Sequence, residues 1–195
     1  MLLAGSRLIN APVMGLQTGS ELARTSEPVI NPRSLQIIAY VVEGPTLDKH
    51  PSLLRIADVR EFSDIGIIID SSDEFVSPED VIKLAEVYNL HFSPMGMKVI
   101  DEKKHKLGKV DGYTIETGGF VIQQLSVKRP LLKGINDPQL LIHRSQITEI
   151  SDDVIIVHSS AKIPEPVTQA VRTHYVNPFR KNPQAEHIRP NNNNT

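Results

Sequence analysis

Cysteine is absent from this chain, which excludes disulfides, thiolate nucleophiles and cysteine-ligated zinc or iron–sulfur centres. Long hydrophobic runs are absent too. After Met1 the opening MLLAGSRLIN holds only three consecutive apolar residues, Leu2 to Ala4, too few for a signal-peptide core and far short of the roughly 20 of a membrane span. The chain is therefore expected to be soluble and cytoplasmic. Nor is there an excess of one charge: 21 Lys and Arg stand against 23 Asp and Glu, so the broad cationic field of a general nucleic-acid coat is missing. The seven histidines form no HxH, HExxH or HxxxH spacing, and no GxGxxG, GxxxxGKS or GxSxG occurs. Zinc, dinucleotide, phosphate-loop and hydrolase sites thus have no signal, and no metal, cofactor or small-molecule substrate is expected.

What is present is a set of short, β-branched apolar stretches bounded by Pro, Gly, Asn and Ser, the pattern of many short strands. LQIIAYVV (35–42) and FVIQQLSV (120–127) are the clearest, followed by 67–69 and 154–157. These stretches pair off between two halves. With an offset of 88, EFSDIGIIIDSS (61–72) falls on EISDDVIIVHSS (149–160), and seven identities occur over the 14 positions from 59 to 72, where residue frequencies give about one. Upstream an offset of 85 places Leu22-Ala23-Arg24 on Leu107-Gly108-Lys109, and Leu35 and Ile37 on Phe120 and Ile122. The slip of three must lie between Val42 and Val59, in a loop, where insertions are tolerated.

Between the halves, SPEDVIKLAEVYNL (77–90) predicts a helix. Ser77 serves as N-cap, Pro78 suits the first position and Asp80 completes a capping box, while Val81, Leu84, Ala85 and Tyr88 recur as one apolar face. After Ser160 the chain is rich in Pro and Asn and carries five Lys or Arg against two Glu; this tail is expected to be mostly disordered.

The layout of each half is a short entry strand, a strand–turn–strand unit, a variable loop and a final hairpin ending in an Ile/Val run. It is carried by RLINAPV…GSELART…LRIADVREFSDIGIIIDSS and by MKVIDEKKHKLGKVDGYTIE…LLIHRSQITEISDDVIIVHSS, and it resembles the PRC-barrel family. The second copy is the closer match; the first departs from it in having Ala23 where Gly108 stands, and Pro28 and Pro32 around its first turn. The resemblance implies an all-β fold of two tandem six-stranded PRC-type β-barrels joined by a short α-helix, with a disordered C-terminal tail. The expected divisions are a first barrel over 1–76, a linker helix over 77–91, a second barrel over 92–160 and the tail over 161–195. In the family, found in the reaction-centre H subunit and a ribosome-maturation factor, the barrel is a docking module, and no catalytic residues are implied.

Asp64 and Asp152 raise the alternative of paired carboxylates, but Ser-Asp between apolar runs is turn chemistry, and no enzyme is expected. Two segments have the composition of interface anchors. In VKRPLLKG (127–134), Lys128, Arg129 and Lys133 flank Leu131 and Leu132, with Arg144 nearby if its strand pairs as the repeat implies. In HYVNPFRK (174–181), Tyr175 and Phe179 stand among Arg180 and Lys181. The alternatives are a capped barrel end with solvated cations for the first and a solubilising terminus for the second. The expected function is a non-catalytic protein-binding adaptor or assembly module; the other class is a ribosome-maturation or RNA-processing factor contacting a ribosomal protein or rRNA.

Overall fold

The β-branched stretches become strands throughout the residues described in this computed structural model, 1–45, 47–48, 50–129 and 139–158. The chain opens with β1 (Leu2–Ala4). There follow β2 (Pro12–Gly15), β3 (Ser20–Asn31), β4 (Gln36–Glu43), β5 (Ser52–Arg55), β6 (Glu61–Ser63), β7 (Gly66–Ile69) and β8 (Phe75–Val76). After helix α1 (Ile82–Tyr88) come β9 (Lys98–Asp101), β10 (Lys106–Glu116), β11 (Val121–Lys128), β12 (Leu140–His143), β13 (Ile147–Ile150) and β14 (Val154–Val157). The protein is all-β in class.

The two halves pair their strands identically. In the first, β5, β4, β3 and β2 are successive antiparallel neighbours, β2 lies parallel to β7, and β6 closes on β7. In the second, β12, β11, β10 and β9 follow the same order, β9 lies parallel to β14, and β13 closes on β14. The offset is 85 through β3 and β4 and 88 from β5 onward, so the three extra residues fall between β11 and β12, within the loop where the slip was expected. One apolar cluster gathers Val13, Ala23, Val42, Leu54, Ile67 and Ile69. The corresponding positions of the second half hold Val99, Gly108, Val127, Ile142, Ile155 and Val157.

The halves are not separate bodies. All fourteen strands belong to one hydrogen-bonded sheet network that runs from β13 to β6 as an open path, so closed barrels are not what is observed. The physical reason lies at two hairpin tips. Leu35 (φ 54°) and Phe120 (φ 51°) both adopt left-handed backbone, which turns each tip so that its main chain meets the other. The Ile37 N–H donates to the Phe120 carbonyl at 2.8 Å, and the Ile122 N–H donates to the Leu35 carbonyl at 2.8 Å. Under the offset of 85 these are the same bond with the halves exchanged, the self-complementary pattern of a two-fold dimer interface. One core then spans the junction: Leu8, Ile30, Leu35, Ile37 and Tyr40 cluster with Tyr113, Ile115, Phe120, Ile122, Leu125 and Ile142. The first strand also crosses over, since β1 pairs antiparallel with β10.

The segment expected as one helix over 77–90 is divided. Pro78–Asp80 forms a single 3-10 turn, Val81 is extended (φ −137°, ψ 108°), and only then does α1 begin. The Asp80 carboxylate accepts from the Ser77 N–H at 2.8 Å, so the capping box closes its own turn and leaves Val81 free to drop its side chain onto the sheet. There Val81, Leu84, Val87 and Tyr88 pack on Val29, Ala39, Val41 and Leu53. The helix thus covers the outer face of β3–β5. Thr114, Gln124 and Leu141 hold the corresponding outer positions of the second half, where they line an open hollow.

Gly118 and Gly119 lie in the β10–β11 turn. The Glu116 carboxylate accepts from the Gly118 N–H at 2.6 Å and the Gly119 N–H at 2.8 Å, and these bonds hold it below the usual carboxylate range. A depressed folded-state pKa contributes stability that is present above the unfolded value and lost as the pH falls through the folded one. Asn31 takes the same place in the first hairpin, its Oδ1 accepting from the Arg33 N–H at 3.0 Å, and carries no titratable charge. Glu116→Gln is therefore expected to flatten the loss of stability below about pH 4, while leaving neutral stability slightly lower. Urea midpoints across pH 2 to 7 measure this; an unchanged acid limb would remove Glu116 from the account.

Candidate interaction surface on the second half

A β-bulge decides which side chains of β10 face outward. Lys106 pairs with Ile100 and Gly108 with Val99, so Leu107 is the extra residue. A regular strand would put residues 106, 108 and 110 on one face. The bulge resets the phase: Leu107 and Val110 are both buried, and Lys106 and Lys109 both reach solvent. Gly108 makes this possible, with φ +150° and its α-carbon so close to β11 that a Cβ would stand 2.2 Å from the Lys128 carbonyl oxygen.

The register then places Lys98, Lys109 and Lys128 directly beside one another across β9, β10 and β11. With Lys106 and Arg129 they rim a shallow hollow of ≈ 430 Å³ whose remaining lining is Val99, Ile100 and Gly108. Like charges placed directly opposite on a sheet are destabilising, by up to about 1 kcal/mol per pair. In the first half the same row reads Pro12, Arg24 and Glu43, an opposite-charge arrangement in which Arg24 also bonds Glu21 at 2.8 Å.

The carboxylates of this region are already engaged, one of them by Lys98 of the row itself. Asp101 accepts from the His105 N–H at 2.8 Å and faces its Nδ1 at 2.8 Å; burial pushes its carboxyl up, and the bonds from His105 outweigh that and hold it low. Glu102 lies 2.7 Å from His158 Nδ1. Asp153 takes Lys98 Nζ at 3.0 Å. Among the described residues no carboxylate is within ion-pair distance of Lys106, Lys109, Lys128 or Arg129.

Of the residues singled out in the sequence, Lys128 and Arg129 come together here. Arg144 does not join them: its guanidinium donates to the Ser34 carbonyl at 3.2 Å, beside Pro32, Leu90, Ile147 and Glu149 near the junction of the halves. Leu131, Leu132, Lys133, Tyr175, Phe179, Arg180 and Lys181 lie outside the described residues. Lys98, Lys106 and Lys109 were missed; the run KKHKLGK around Gly108 was the available signal, but a strand without its bulge gives no reason to set these lysines beside Lys128. Asp64 and Asp152 occupy the exposed β6–β7 and β13–β14 turns. The serines before them donate to strand carbonyls, Ser63 to Gly66 at 3.5 Å and Ser151 to Val154 at 3.1 Å.

A second hollow over β10–β12, also of ≈ 430 Å³, is lined by Ile9, Met95, Tyr113 and Leu141, with Asp111 as the one charged residue of its lining. It gathers no set of like charges. Among the described residues no group of three or more His, Asp or Glu is placed to hold a metal, and no helix is long and apolar enough to cross a membrane. No family model matches the chain, and no curated protein matches it.

Proposed function

We propose that this chain is a non-catalytic, cytoplasmic adaptor built from two modules of the PRC-barrel type, and that it acts by holding another protein. The observation that carries the reading is the hollow rimmed by Lys98, Lys106, Lys109, Lys128 and Arg129, which offers convergent charge over an aliphatic floor. That combination suits the polar rim and apolar centre of a protein interface. The repeat adds to it, because equal folds with unequal surfaces let one half serve as the rigid base for the other. Contact with rRNA or a ribosomal protein draws on the same cations, but no aromatic side chain lines the hollow to stack on bases.

Affinity capture from the native cell, with the full chain and with Lys109→Glu/Arg129→Glu as baits, tests the reading. One protein recovered in near-stoichiometric amount by the first bait and depleted at least about tenfold in the second supports it. Recovery of background alone by both overturns it, and co-sedimentation with small ribosomal subunits would move the assignment to the ribosomal class.

A further inference from the structure

Resting on the adaptor reading, the geometry points to the chemistry of the partner: we infer that the hollow across β9–β11 receives an acidic peptide segment, with carboxylates on the lysine row and one apolar side chain against Ile100.

The first observation is the contrast between the halves. A scaffold repeated by sequence and by strand pairing carries Pro12, Arg24 and Glu43 in one copy and Lys98, Lys109 and Lys128 in the other. The fold does not require the lysines, because the first half builds the same three strands with a neutral and an oppositely charged pair. Lysines opposed across a sheet weaken it, and groups that weaken a fold without local compensation mark sites shaped by something other than stability. An anion lying over the row would convert the repulsion into attraction.

The second observation is that, among the described residues, all of this charge except that of Lys98 is left uncompensated although carboxylates stand close by. Asp101, Glu102 and Asp153 are turned to His105, His158 and Lys98, and no other carboxylate among the described residues reaches Lys106, Lys109, Lys128 or Arg129. The chain as a whole is mildly acidic, at net −2, so the attraction is local and favours a partner that fits this hollow over a long polyanion that needs a continuous cationic track. The floor selects further: half-buried Ile100, on the same face of β9 as Lys98, and the aliphatic stems of the lysines around it give an aliphatic or aromatic side chain a place to lose water, which a sugar–phosphate backbone does not use.

Fluorescence anisotropy with the full chain tests the assignment. The probes are a short labelled peptide of glutamates around a central leucine, the same peptide with glutamines, and an oligouridylate of equal charge. The glutamate peptide is expected to bind at least about tenfold more tightly than the glutamine peptide, with affinity falling as salt rises. Lys128→Glu is expected to remove about tenfold or more of that affinity while holding or raising the melting temperature, since it recreates the Arg24–Glu43 arrangement; loss of binding then cannot be loss of fold. Lys83→Glu on the exposed face of α1 makes the same change in net charge and is expected to leave binding within about twofold. Equal binding of the two peptides, equal weakening by Lys83→Glu, or tighter binding of the oligouridylate would each overturn the assignment. The two readings fail separately: a cellular partner still captured by Lys128→Glu removes the acidic-segment assignment and leaves the adaptor, whereas peptide binding without any captured protein does the reverse.

Discussion

Phe120→Ala is expected to destabilise the protein by about 3–5 kcal/mol, the range for removing a buried phenylalanine ring. Phe120 is 5% exposed and belongs to the core cluster that takes residues from both halves. Its carbonyl also accepts one of the two reciprocal hydrogen bonds between the hairpin tips. Typical domains hold only about 5–15 kcal/mol in total, so this single change removes a large part of it. Because the core is shared, the unfolding curve is expected to shift as one cooperative transition, followed by circular dichroism and tyrosine fluorescence in urea. A curve that splits in two would mean that the halves fold independently. A further comparison isolates the backbone. At φ 51° a side chain costs about 1–2 kcal/mol in the left-handed region, so Phe120→Gly is expected to be no worse than Phe120→Ala, reversing the usual order of alanine over glycine in a strand.

Gly108→Ala is expected to cost about 2–4 kcal/mol, combining left-handed backbone strain with a contact that must move the main chain. Its φ is +150°, and the added Cβ meets the Lys128 carbonyl oxygen at 2.2 Å, an atom fixed in the sheet. The first half supplies the control. Ala23 stands at the corresponding position and is 3% exposed inside its cluster, without a left-handed φ. Ala23→Gly is therefore expected to cost only about 1 kcal/mol, through lost burial and chain entropy. Urea midpoints for the pair give the asymmetry directly, and equal effects at the two positions would contradict the bulge geometry. Gly108→Ala is also expected to weaken binding of the glutamate peptide, since the bulge sets Lys106 and Lys109 on the same face.

Much of this was legible before any coordinate. The short, β-branched apolar stretches at 35–42 and 120–127 became β4 and β11, and the offset of 88 between 61–72 and 149–160 became two matching hairpins with Asp64 and Asp152 at their turns. Such features are local: strands follow from β-branched side chains that suit a pleated surface, and turns from the few residues that tolerate them. Lys128 and Arg129 were legible for the same reason, being neighbours in a polar segment at the end of a strand.

By itself, then, the sequence determined the β class, the twofold repeat, the loop in which the copies diverge and the absence of cysteine chemistry. The tertiary structure alone decided the rest. It set Lys98 and Lys109 beside Lys128, because cross-strand register depends on the bulge at Leu107 and Gly108. It sent Arg144 toward Ser34, because the strand before it ends in a 3-10 turn (Arg144–Gln146). It joined the halves into one sheet, because two residues with left-handed backbone turn their carbonyls toward each other's strands. Pairing between residues 85 positions apart is a property of packing, and no local pattern in the chain encodes it.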